Sequence, residues 1–86
     1  MRPIFIRIIC NDKYDNEEHN FIDLFDAAIN INQIKYISSY IPDDPDYDGP
    51  PGVQINTDDT TFVIMGKDPE DIVNMIEDAI ARCENK

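Results

Sequence analysis

The side chains most able to do chemistry are carboxylates, and their most regular run is Asp44-Pro45-Asp46-Tyr47-Asp48-Gly49. D-x-D-x-D-G is the first half of a calcium loop, in which alternate carboxylates turn inward on one hard cation and glycine allows the sharp bend. The second half does not follow. Ile55 stands where the bidentate glutamate belongs, and Pro50-Pro51 stiffens the chain between. Asp44, Asp46 and Asp48 thus read as a loop that attracts cations loosely, and no metal site is assigned. The one histidine, His19, sits in a second acidic run with Asp15, Glu17 and Glu18. Neighbours in a flexible loop rarely preorganise a metal centre, so a solvated loop is expected there.

No serine has a basic partner and no glycine-rich segment could cradle phosphate, which leaves nothing for nucleophilic chemistry. The expectation is a protein that is not an enzyme, with no catalytic residue and no cofactor. Cys10 and Cys83 are the only cysteines. Two distant cysteines without a secretory signal are expected to be reduced and buried rather than bridged.

The charge balance narrows the partners. Eighteen acidic and seven basic residues give a formal net charge of -11. Such a surface repels nucleic-acid backbone and anionic membrane, and the basic residues form no patch that would reverse this. The apolar start, Ile4-Phe5-Ile6-Arg7-Ile8-Ile9-Cys10, is broken by Arg7 and too short to span a bilayer. A cytoplasmic protein is expected. At 86 residues and 42% hydrophobic content, the chain suits one domain with one modest core.

The clearest element is a helix over 69–84. Asp68 is placed as its N-cap and Pro69 at the first helical position, where a missing N–H costs nothing. Glu70 and Asp71 suit the positive end of the helix dipole, and Arg82 and Lys86 the negative end. Ile72, Ile76, Ala79, Ile80 and Cys83 make an apolar stripe, widened by Val73 and Met75. Before it, 53–57 and 60–65 alternate or carry β-branched and aromatic residues, as strands of a hairpin turned at Thr57-Asp58-Asp59-Thr60.

Upstream, Ile4, Ile6, Ile8 and Cys10 share one face of a strand over about 3–11, with Phe5 and Ile9 flanking Arg7 on the other. A strand apolar on both faces is usually central or covered on both sides, so this one is expected inside the sheet, with Arg7 near an edge of cover or paired to an acid. The polar stretch 11–20 reads as an exposed loop. From 21 to 26 the pattern fits a helical face (Phe21, Leu24, Phe25, Ala28) and equally a long strand face (Phe21, Phe25, Ala27, Ile29, Ile31). Strand over about 21–31 is preferred, followed by a strand over 34–41 and a protruding Pro-rich loop. Tyr36 and Tyr40 on the latter strand read either as a recognition strip or as half-buried residues with wet hydroxyls. The fold class is α+β: a small antiparallel sheet of four to five strands with one C-terminal helix packed on it.

The run Ile29-Asn30-Ile31-Asn32-Gln33-Ile34, followed by a strand, a hairpin and the Asp68-Pro69-Glu70-Asp71-Ile72-Val73 helix start, resembles small bacterial proteins of the flagellar FlbD-like kind and related single-domain proteins of bacteria and phages. The resemblance implies this same fold and carries no catalytic residues with it.

Two functions follow as expectations. One helix cannot cover both faces of a sheet that carries Phe5, Ile9, Phe21, Phe25, Tyr36 and Tyr40; the aromatic five of these are the candidate interface of a protein-interaction or self-association module, with a homo-oligomer or another protein as partner. The alternative is an acidic decoy whose carboxylates imitate nucleic-acid phosphates and occupy a basic partner protein.

Overall fold

The computed structural model describes residues 3–84, and Lys86 lies outside them. Five strands, β1 (Phe5–Asp15), β2 (Asn20–Asn30), β3 (Ile34–Tyr40), β4 (Gly52–Thr57) and β5 (Thr61–Met65), precede one helix, α1 (Pro69–Glu84). They form a single antiparallel sheet in the order β2-β1-β5-β4-β3. The expected α+β architecture is the observed one, and β1 is an interior strand.

The polar stretch 11–20 is not a loop. β1 runs on to Asp15 and β2 begins at Asn20, so only the turn 16–19 intervenes. Asp12 pairs with Asp23 and Tyr14 with Phe21, and the ambiguous segment 21–26 is strand. The ladder omits Lys13, whose φ of 53° is left-handed and rare for a side chain within a strand. Its ammonium lies 3.5 Å from Asp23 across the hairpin.

Strand order dictates the shape. β2 and β3 lie at opposite edges, yet only the short 3-10 turn Ile31–Gln33 joins them. Five strands spaced about 4.8 Å apart would set the edges of a flat sheet roughly 19 Å apart. The four residue steps from Asn30 to Ile34 span at most about 14 Å. The sheet must therefore curl, and its edges approach again at the other end, where the Phe21 and Tyr40 rings lie 6.5 Å apart. Asn30 stabilises the 3-10 turn by accepting from the Asn32 amide.

Ile6, Ile8, Cys10, Ala27, Ile29, Val53, Ile55 and Ile64 fill the inner side of the curl, and α1 adds Ile72 to the same core. Met75, Ile76 and Ala79 pack around them, whereas Val73 and Cys83 are exposed, so the stripe is narrower than its spacing suggests. Cys10 is buried and Cys83 is not, and both thiols are free. Burial raises the Cys10 pKa to about 11. At the helix start, Asp68 accepts from the Asp71 amide while Asp71 accepts from the Asp68 amide, each at 3.0 Å. This is a reciprocal capping box with aspartate in place of glutamate. The turn 57–60 is held by Thr57, through its amide and its hydroxyl, not by its aspartates.

β1 is interior, as expected, and its inner face is the one the helix covers. Register places Arg7 beside Ala28, Ile9 beside Asp26 and Asn11 beside Leu24, all on the outer face of the curl. The helix packs on the inner side, and at the margin of the outer face its Asp78 and Arg82 line a groove with Phe5 and Arg7.

Candidate functional site

Two places concentrate functional groups: the tip of the β1–β2 hairpin and the outer face of the same two strands. At the tip, the two acidic runs that looked independent in sequence meet. Asp44, in the loop 41–51, accepts from the Tyr14 hydroxyl at 2.7 Å, and its same Oδ2 lies 2.9 Å from His19 Nδ1. Its other oxygen accepts from the Asp46 amide. The Asp44 side chain is only 8% exposed, so the Pro-rich loop is pinned to the hairpin rather than protruding. Tyr47 leans on Tyr14 with ring centroids 6.5 Å apart, and Tyr14 meets Phe21 edge-on at 5.1 Å. His19 takes a φ of 54° in the turn, a left-handed conformation in which histidine is enriched.

The electrostatics follow from these bonds. The Tyr14 hydroxyl, then His19 and the Asp46 amide, hold the Asp44 carboxyl down to about 2. The bond to Asp44 raises the His19 pKa, with Asp46 and Asp48 adding to the pull against some desolvation. Tyr14 is pushed up by desolvation first and by Asp44 second. Such a set favours an imidazolium held between carboxylates, with Asp46 Oδ2 3.9 Å from His19 Nε2.

His19, Asp44 and Asp46 offer ligand atoms within 4.8 Å of one another, and Asp48 is outside that set. The three aspartates of the calcium-like run therefore do not turn inward on one point. Both Asp44 oxygens are engaged, Oδ2 by Tyr14 and His19 and Oδ1 by the Asp46 amide. As built, the group is a clasp that fastens the hairpin tip to the loop following β3.

The five aromatic interface candidates divide. Phe21 and Tyr40 are half-buried neighbours beneath the clasp. Phe25 lies beside Phe62, their centroids 6.3 Å apart. Phe5, 50% exposed, and Tyr36, 56% exposed, remain uncovered. The outer face of β1 and β2 adds three residues that were not among the five candidates: Ile9, 56% exposed, Ile22, 56% exposed, and Leu24, 66% exposed. The alternation Phe5-Arg7-Ile9 had already placed Ile9 there, but only the pairing of Asn11 with Leu24 brings Leu24 to the same face. Arg7, Ile9, Asp26 and Ala28 line a shallow groove on it.

Fold and site together define a small α+β domain with a curled sheet, one helix on its inner side and an apolar outer face. No protein-family model matches the chain, and neither the curated proteins nor the solved structures contain a match. Among the described residues, no helix is long and apolar enough to cross a membrane.

Proposed function

We propose that this chain is a protein-contact module that works through the outer face of β1 and β2. The supporting observation is that Phe5, Ile9 and Leu24 are each at least half exposed on one sheet face while α1 occupies the other. Together with Ile22 they expose on the order of 400 Å² of apolar surface, the size at which such a patch on a monomer commonly marks an interaction site. The chain as a whole is acidic, with a formal net charge of -11, so an apolar patch of this size stands out from it.

The test is to recover the tagged protein from its native host, with and without Ile9→Asp and Leu24→Asp. Both positions are exposed, so the variant should keep the wild-type circular dichroism and melting temperature. The wild type should retain a bound protein, another copy or a different chain, that the double variant loses. An identical bound set from both would refute the reading.

A further inference from the structure

The same outer face is complementary to itself. Arg7 sits opposite Ala28, and Asp26 opposite Ile9, so the two charges lie one strand and two residues apart, diagonally across the groove. Diagonal neighbours of this kind are roughly 7–8 Å apart, within reach of an arginine side chain, yet the two groups do not meet within the chain. Arg7 has no ion-pair partner among the described residues, whereas Lys13 and Lys35 are 3.5 Å from Asp23 and 3.4 Å from Asp58. In a chain of net charge -11, the outer positions of β1 and β2 from Phe5 to Leu24 carry one cation and one anion, and the helix charges that adjoin Arg7, Asp78 and Arg82, also balance.

We propose that the occupant of this face is a second copy of the chain, packed face to face about a twofold axis so that Arg7 of each protomer pairs with Asp26 of the other. This rests on the contact-module reading and adds the partner and its geometry. A twofold axis lying in the contact plane, which exchanges Arg7 and Asp26 between copies, passes close to Ile9 and Ala28. Each of these two residues then stacks near its own equivalent. The strands of the two copies cross at close to a right angle, one of the two usual ways for sheets to pack. Phe5 and Leu24 fall on either flank of that centre. Any other register sets Arg7 against Arg7 or leaves Asp26 buried without a partner, which disfavours it. An unrelated acidic protein would meet Asp26, and a strongly basic one would meet Arg7, so neither suits this face as well as an identical copy.

The buried area sets the strength. About 400 Å² from each copy totals less than the 1,200–2,000 Å² of a standard stable interface, so the dimer is a weak one. Self-association should therefore be followed by sedimentation equilibrium from about 10 to 500 µM, a range that brackets such an affinity. The variants are Arg7→Glu, Asp26→Arg, an equimolar mixture of the two, and Ile9→Asp, each checked by circular dichroism for a wild-type fold. Arg7→Glu sets Glu against Asp26 twice, and Asp26→Arg sets it against Arg7 twice, so each alone should weaken the dimer at least tenfold. In the mixture every contact is again between opposite charges, and a heterodimer of wild-type strength should form.

A wild type that stays monomeric throughout overturns the second copy as occupant and leaves the contact module to its own test. A dimer lost in Ile9→Asp but indifferent to the charge variants overturns the Arg7–Asp26 pairing while supporting the contact face. A dimer indifferent to all of them overturns both.

Discussion

Among the described residues, Ile72 is the one helix residue with no exposed surface, and replacing it with alanine measures how α1 is held. The change removes three carbons from a site surrounded by the core, a transfer loss of about 2.4 kcal/mol at roughly 0.8 kcal/mol per methylene. Incomplete collapse of the resulting cavity adds about 1 kcal/mol or more. Alanine's better helix propensity returns about 0.4 kcal/mol. The net cost is about 3 kcal/mol, against a total stability of roughly 4–13 kcal/mol for a chain this long. In a domain of this size that lowers the melting temperature by about 12–24 °C. The adjacent Val73 is 41% exposed, and Val73→Ala should change stability by less than about 0.5 kcal/mol. Urea unfolding followed by far-ultraviolet circular dichroism separates the two. Equal losses at both positions, or a loss below about 1 kcal/mol for Ile72→Ala, would mean that the helix docks on a different face.

The clasp gives a pH signature. The raised His19 pKa means its contribution is complete below the ordinary value of 6.5 and is lost as pH rises through the folded-state value. The lowered Asp44 pKa means its contribution is complete above the ordinary value of 3.8 and is lost as pH falls towards about 2. The melting-temperature difference between wild type and His19→Gln should thus be largest near pH 5 and shrink above neutrality; a difference that grows on the alkaline side would contradict the clasp. Two glycines should respond to alanine for different reasons. At Gly52 a Cβ would lie 2.6 Å from the Ile64 carbonyl oxygen and 2.9 Å from Met65 Cα, a backbone clash between paired strands. At Gly66 nothing lies within 4 Å and only the φ of 79° resists, worth about 1 kcal/mol. Chemical denaturation should rank Gly52→Ala as the more damaging of the two.

What could be read in the chain was what local spacing determines. Asp68-Pro69 and the following stripe mark the helix because capping and periodicity act within a few residues, and the β4–β5 hairpin is similarly local. The stretch 11–20 misled because Asp12 and Tyr14 are strand residues only through their partners Asp23 and Phe21, and polar residues in a projecting hairpin carry no alternation signal. The clasp was hidden for a related reason. His19 and Asp44 lie 25 positions apart, and each acidic run looks like ordinary solvated loop until curling of the sheet brings them together. The uncovered face was visible as an excess of apolar residues over what one helix can bury. Which residues fill it depended on register, and that is why Leu24 was missed while Phe21 and Tyr40 turned out to be engaged with each other.

The rung between β1 and β5, where Asn11 meets Val63 and Asn11 Oδ1 receives the Met65 amide, is the one strand pairing that does not join neighbours in sequence. Closing a loop of about fifty residues costs on the order of 3.5 kcal/mol in chain entropy, more than the short hairpin turns cost. The molecule is in this sense two ribbons, β1–β2 and β3–β4–β5, laced along a narrow line and backed by the helix. That line is where the chain should knit last and part first, so the Met65 amide should trade its hydrogen with solvent sooner than amides inside either ribbon.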